Sequence, residues 1–262
     1  MRPKSLEAAL RRLYARWLRP HIATEIHRQR LKLAWFGWGY WRLLRIDLRL
    51  SAKARVLCRF LRIDWNVAHA HRPCEIAQVF ETLATRRARP GEVMVEAGCW
   101  NGGSTAKFSM ICEILGYRLE VYDSFEGVEP LSEDAKRTSY DFSGEYAAAE
   151  SVVRANVHRY GEMGVCAFHK GWFADTLGRD PVAFPIRVVY IDCDVAKGTR
   201  EVLSGVVPGL VEDGRVFSQD FHIEPVRQLL FDPGTWQGLG VTMPTIEELC
   251  GHLACLDFSA PR

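Results

Sequence analysis

From residue 74 onward, apolar runs of strand length alternate with longer stretches of helical period. Segments 93–97, 118–123, 165–169, 186–192 and 215–219 read as strands. Glu75–Ala84 and the stretches 104–115, 147–160 and 199–207 read as helices, with an Arg/Pro break at 86–90. Leu253-Ala-Cys-Leu-Asp-Phe-Ser259 reads as a closing strand. Alternating strands and helices predict an α/β fold, a largely parallel sheet covered by helices on both faces.

The amino-terminal third has a different texture. Residues 5–63 are helix-rich by pattern, with Leu6, Leu10, Leu13, Trp17 and Leu18 at near-helical spacing among arginines, interrupted by Pro20. An aromatic run, Leu33-Ala-Trp-Phe-Gly-Trp-Gly-Tyr-Trp41, follows between Lys32 and Arg42. It is far short of the roughly 20 residues that cross a bilayer, and it lacks the cleavage pattern of a signal peptide. Residues 1–90 hold 20 Lys/Arg against 6 Asp/Glu, and the rest holds 14 against 26. That asymmetry predicts two parts, a basic helical extension over 1–73 and an acidic catalytic domain over 74–262. The extension is expected to serve as a lid, a dimer contact or an arm lying on an anionic membrane surface. No nucleic-acid motif accompanies the charge, so no nucleic-acid partner is expected. The eight cysteines (58, 74, 99, 112, 166, 193, 250 and 255) form no C-x-x-C pair, which reads as reduced thiols in a cytoplasmic setting.

Chemistry concentrates in Glu92-Val-Met-Val-Glu-Ala-Gly-Cys-Trp-Asn-Gly-Gly-Ser-Thr105. An apolar strand ends in a carboxylate, a Gly-rich loop follows, and a helix opens at Ser104 and Thr105. A dinucleotide loop needs its second Gly where Trp100 stands. A P-loop needs Gly-Lys-Ser/Thr, which the chain lacks. Glu96 would repel a phosphate but suits the ammonium of an amino-acid moiety, as in S-adenosylmethionine. A second carboxylate about 20 residues on should accept ribose hydroxyls, and Asp123, ending Leu119-Glu-Val-Tyr-Asp123, is that candidate. Its alternative is a turn cap.

Five segments occur in one order: Glu96-Ala-Gly-Cys-Trp-Asn-Gly-Gly-Ser-Thr105, Asp123-Ser-Phe-Glu-Gly127, Gly171-Trp-Phe-Ala-Asp-Thr-Leu177, Tyr190-Ile-Asp-Cys-Asp194 and Glu212-Asp-Gly-Arg-Val-Phe-Ser-Gln-Asp-Phe221. Over about residues 92–222, half the chain, the series resembles the macrocin O-methyltransferase family. That family methylates sugar hydroxyls in macrolide and aminocoumarin biosynthesis. The amino-terminal extension has no counterpart in it. The resemblance implies a Rossmann-like class I methyltransferase fold with a seven-stranded sheet, S-adenosylmethionine as cofactor, and Mg²⁺ beside it.

Carried onto this chain, the family's metal positions match Asp192 and Asp220, and Gln219 replaces the first Asp of an Asp-Asp pair. The amide removes one negative charge and should weaken Mg²⁺ binding. Cys193 stands where a Gly is usual. Asp192, Asp194 and His222 are the candidate bases, with helix capping as the alternative for Asp194 and an exposed loop position as that for His222. The cofactor set comprises Glu96, Gly98, Cys99, Trp100, Gly102, Ser104, Thr105, Asp123, Ser124, Phe125, Gly171, Trp172, Phe173 and Asp192. Trp172 or Phe173 would lie near the adenine, with core packing as the alternative.

The leading expectation is an O-methyltransferase acting on a small-molecule or lipid-linked sugar. The rivals are a SAM-binding protein with weakened catalysis and a membrane-surface scaffold that keeps the methyltransferase fold. A homo-oligomer is compatible with all three.

Overall fold

The computed structural model describes residues 39–130 and 141–259. Most of the basic arm, including Leu6 to Leu18 and Leu33 to Trp38, lies outside the described residues.

Seven strands form one sheet in the order β3-β2-β1-β4-β5-β7-β6. They are β1 (Val93–Ala97), β2 (Arg118–Asp123), β3 (Cys166–Lys170), β4 (Ile186–Ile191), β5 (Leu210–Ser218), β6 (Thr245–Glu248) and β7 (Ala254–Asp257). The first five run parallel. β7 runs antiparallel to β5, and β6 antiparallel to β7. The helices are α1 (Leu50–Asn66), α2 (Pro73–Leu83), α3 (Gly103–Leu115), α4 (Glu150–Tyr160), α5 (Ala196–Val206), α6 (Glu224–Phe231) and α7 (Pro233–Gly238), with a 3₁₀ turn over Trp41–Arg45. The expected Rossmann-like methyltransferase fold is the observed one.

Alternate residues of the strands feed two cores, which is why the strands read as continuous apolar runs. Met94, Leu119, Val121, Val188 and Tyr190 meet α1 to α4 on one face. Val93, Val95, Ala97, Val189 and Ile191 meet the side chains of α5, α6 and α7 on the other. Glu96 shares the side of Met94 and therefore points at the first turn of α3. The boundary read at residue 73 marks no break in packing. Tyr40, Leu43, Val56, Phe60 and Ile63 belong to the same core as Phe80 and Phe108.

A charged cluster is buried within that core. Lys107, on α3 and wholly buried, donates to Asp64 Oδ1 and contacts His71 Nε2 at 2.6 Å. Tyr40 donates to Asp64 Oδ2 at 2.8 Å, His69 Nε2 lies 2.9 Å from Asp64 Oδ1, and the two imidazoles stack at 4.3 Å. Asp64, His69 and His71 are spaced as metal ligands are, but the Lys107 ammonium sits among them. The cluster ties the 64–72 segment to α3.

Candidate active site

The strand order reverses beside β1, between β2 and β4, and the carboxyl ends of β1 to β5 open into one cleft there. Its expected donor half is lined by Gly98, Cys99 and Trp100 after β1, Asp123 and Ser124 at the end of β2, and Gly171, Trp172 and Phe173 after β3. Its other half is lined by Asp192 and Asp194 after β4, Gln219 and His222 after β5, and His252 on the β6–β7 turn.

The Gly-rich loop is held by its neighbours. Gly98 N–H donates to Tyr122 O, and Asp192 N–H to Ala97 O, both at 2.9 Å. A Cβ on Gly98 would lie 1.8 Å from Asp192 O, so only glycine lets the loop sit on the end of β4. Asp123 accepts from Cys99 N–H and from Phe125 N–H, each at 2.7 Å, one on each carboxylate oxygen. It is therefore a turn cap and a clamp on the loop together, and each oxygen keeps a lone pair for a hydroxyl donor.

Some candidates lie behind the cleft wall. Gly102, the N-cap of α3 with φ +78°, packs against Val153 of α4. Phe125 is buried in the core, and Thr105 is wholly buried on α3. Ser104 reaches the cleft. Glu96 is completely buried, and neither carboxyl oxygen has a hydrogen-bond partner. Ser104 and Thr105 face it without completing a bond of ordinary geometry. Burial pushes its carboxyl up to about 8, against the lowering influence of these hydroxyls and with a further push from Asp123.

Beneath the loop, burial holds the Glu96 carboxyl neutral at pH 7, and a cation bound nearby would favour its ionised form. Glu96→Gln is expected to raise stability at neutral pH by up to about 3 kcal/mol, because the amide is an isostere of the protonated acid and needs no proton uptake on folding. It is expected to weaken S-adenosylmethionine binding roughly 10–100-fold in calorimetric titration. The sign of the pH effect follows from the raised value. Stability held by the neutral form is complete below the unfolded value of 4.5 and is lost as pH rises through about 8. Melting profiles from pH 5 to pH 9 should thus fall for the parent and flatten for the variant.

The opposite half is acidic. Asp192, Asp194 and Asp220 bring carboxylate oxygens within 4.8 Å of one another. Burial pushes all three carboxyls up, with neighbouring carboxylates adding to Asp192 and Asp220 and Glu145 adding to Asp194; Asp194 rises to about 6 and Asp220 to about 8. Asp220 Oδ2 accepts from Cys193 N–H and Asp194 N–H, both at 2.8 Å. Those bonds fix the β4–α5 turn, where Asp194 has φ +61°. The N-cap of α5 is Val195, without a side-chain bond, so Asp194 does not cap that helix. Cys193 replaces the usual Gly without strain, since the left-handed residue is its neighbour. Its Sγ is buried against Thr199 Oγ1 at 3.4 Å.

Gln219 lies between the carboxylates. With its amide nitrogen turned inward it donates to Asp220 Oδ1 at 3.1 Å and Asp192 Oδ1 at 3.2 Å. With the amide reversed, its carbonyl oxygen joins theirs. His222 is exposed at the rim, its ring 4.0 Å from that of His252.

Sequence reasoning missed several wall residues. His69 and His71 reach the cleft from the segment before α2, Phe142 and Tyr146 from a strap before α4, and His252 from the β6–β7 turn. One signal was available: Glu75 three residues after Arg72 is a capping position. Glu75 Oε2 accepts from Arg72 N–H at 2.7 Å and Oε1 from His252 N–H at 2.8 Å, linking α2 to the turn that carries His252.

Comparison with known proteins agrees with this geometry. A family model described as macrocin-O-methyltransferase (TylF) matches residues 66–252. The 8-demethyl-8-(2,3-dimethoxy-alpha-L-rhamnosyl)-tetracenomycin-C 4'-O-methyltransferase of Streptomyces olivaceus is 31% identical over 188 residues, 66% of this chain and 71% of its own length. The solved O-methyltransferase NovP matches with a TM-score of 0.59 and 21% identity, over 74% of this chain and 84% of that one. The calicheamicin methyltransferase CalS11 matches with a TM-score of 0.54 and 16% identity, over 83% and 97%. At such identities the two structures speak for the fold alone.

Proposed function

Because this chain belongs to the macrocin O-methyltransferase family and is an S-adenosylmethionine-dependent O-methyltransferase, we propose that its acceptor is a sugar hydroxyl, methylated with a divalent cation held beside the donor. The observation that carries the cation is the convergence of Asp192, Asp194 and Asp220 within 4.8 Å, with Asp192 and Asp194 lining the cleft and Asp220 buried behind them. Hard oxygen donors whose carboxyls are raised by burial and by nearby carboxylates fit such an ion. Asp192, Asp220 and the Gln219 carbonyl would hold it. The sugar reading draws on the Streptomyces olivaceus relative, whose name assigns it a rhamnosyl acceptor.

Transfer from a sulfonium breaks the carbon–sulfur bond as a carbon–oxygen bond forms, and the hydroxyl proton must leave. In-line alignment is the main demand on the protein. Asp123 and the backbone of Gly98 and Cys99 orient the donor, with Trp172 and Phe173 beside the adenine. Asp194, set at the cleft by its left-handed backbone, accepts the proton. The cation, when bound, lowers the pKa of the hydroxyl. Single methyl addition to a panel of glycosides, read by mass spectrometry with and without a chelator, tests both halves of the reading. Methylation confined to non-sugar acceptors would refute the substrate, and indifference to chelation would refute the metal.

Gln219 favours a second reading, a cofactor-binding protein with weakened catalysis. Gln219→Asp restores a charged ligand and is expected to tighten Mn²⁺ binding about tenfold in calorimetric titration. Unchanged affinity would place Gln219 outside the metal shell. The basic arm is read as peripheral contact with an anionic surface that presents a lipid-linked acceptor, or as packing on a second copy. Trp41, Leu44 and Leu50, 42%, 66% and 76% exposed, stand among Arg42, Arg45 and Arg49 at its described end. Among the described residues, no helix is long and apolar enough to cross a membrane.

A further inference from the structure

The cleft carries three aromatic side chains set between the donor half and the acidic cluster, one of them from the cofactor loop and two from outside both. Trp100 rises from the cofactor loop, while Phe142 and Tyr146 come from the strap before α4. The Trp100 and Tyr146 rings meet edge to face, centroids 5.1 Å apart at 81°, and Phe142 leans on Tyr146 at 6.1 Å and 47°. Together they make an open corner of ring faces at the mouth of the cleft, each half-buried.

Holding them there requires unusual backbone. Trp100 has φ +42° and Tyr146 φ +56°, a region bulky residues avoid. The strap is docked by paired bonds, Val128 N–H to Glu145 O and Gly144 N–H to Val128 O, each at 2.9 Å. It comes so close that a Cβ on Gly127 would lie 2.6 Å from Glu145 O. Gly127 closes the Asp123-Ser-Phe-Glu-Gly127 motif, so the segment that clamps the donor also receives the strap. Lys197 on α5 pairs with Glu129 at the base of that contact. Strain maintained by several independent contacts is a mark of function.

We propose that Trp100, Phe142 and Tyr146 form an acceptor subsite that seats the C–H face of a sugar ring. The inference rests on the sugar reading above and adds the means of recognition. A pyranose presents polarised C–H groups on one face and hydroxyls around its rim, whereas an aromatic face carries negative charge density. Two rings at a right angle offer a face and an edge to one bound ring. Asp194 and Asp192 are near enough, with burial acting first and Glu145 contributing, to push the Tyr146 phenol up and keep it a proton donor. A phenol there can bond a rim hydroxyl beside the acidic cluster.

The test uses the full chain loaded with S-adenosylhomocysteine, and methyl α-L-rhamnopyranoside as probe, with mannitol as a polyol lacking a ring face. Saturation-transfer NMR should show the rhamnoside receiving magnetisation from the protein's aromatic protons, and mannitol receiving little. Tyr146→Leu keeps bulk but removes the ring, and should weaken rhamnoside binding about tenfold. Phe142→Leu should weaken it as well, and it alters no left-handed residue should the first variant fold poorly. S-adenosylhomocysteine affinity should stay within about threefold in both, since the donor half is untouched. Equal rhamnoside binding by parent and both variants would overturn the subsite, as would a planar phenol binding there in preference to any glycoside. A rhamnoside seated on Tyr146 but never methylated would support the subsite while removing the sugar-acceptor reading.

Discussion

Asp220→Ala is expected to lower kcat by about 10²–10⁴-fold and to destabilise the fold by roughly 2–5 kcal/mol. Asp220→Asn should recover most of the stability and little of the activity. The carboxylate has two tasks on its two oxygens. Oδ2 accepts the amides of Cys193 and Asp194, both at 2.8 Å in a buried turn. Alanine leaves both donors unpaired away from water, and each carries a desolvation cost. Asparagine keeps one oxygen for them. The other oxygen, Oδ1, faces Gln219 and the acidic cluster, and there an amide cannot ionise to serve as the anionic ligand that the proposed cation would need. Chemical denaturation and steady-state kinetics on the two variants separate the tasks. Equal stability losses would mean the turn does not depend on Oδ2.

The buried ion pair beneath the 64–72 segment should give the largest purely structural effect. Lys107→Met is expected to cost about 3–5 kcal/mol, because it strands the Asp64 carboxylate inside the core. The double variant Lys107→Met with Asp64→Asn should regain much of that loss, since the stranded charge is then gone. Burial alone would raise the Asp64 carboxyl, but Lys107 first and His69 second hold it down at about 2. A lowered value means the contribution is complete above the unfolded value of 3.8 and disappears as pH falls toward 2. Melts across pH 5 to pH 2 should therefore show a steeper acid loss in the parent than in the double variant.

The donor half of the site was legible because each of its parts follows a parallel strand in sequence. Val93–Ala97 and Arg118–Asp123 carry a carboxylate at or next to their last residue, and in a parallel sheet every carboxyl end opens on the same side. Of the carboxy-terminal elements only β7, read as a closing strand over 253–259, was legible. β6 has only Ile246 half-buried among exposed neighbours, so no alternation marks it. α6 and α7 are only eight and six residues long, so the helical spacing of Val226, Leu229 and Leu230 in α6 spans barely two turns. Their signals were local: Glu224-Pro and Asp232-Pro place proline in a first turn, and Asp232 accepts from Gly234 N–H at 3.0 Å. Strand β5 begins at Leu210, five residues before the apolar run that announced it, because Glu212, Asp213 and Gly214 break the pattern. Tyr146 and His252 stand in loops with no spacing rule relative to Asp192, and only the folded chain brings them together.

Trp100, Phe125, Tyr146 and Asp194 are the four described non-glycine residues with left-handed backbone, and all belong to the cleft or its supporting loops. Each such residue costs roughly 1–3 kcal/mol, against a total stability of about 5–15 kcal/mol for a typical domain. Laboratory evolution toward heat resistance would be drawn to these positions, where glycine or asparagine relieves the backbone at a stroke. The gains would come from dismantling the Gly-rich loop, the aromatic corner and the Asp194 turn at the cleft. A library meant to harden this enzyme should therefore exclude those four codons and look for robustness in the periphery.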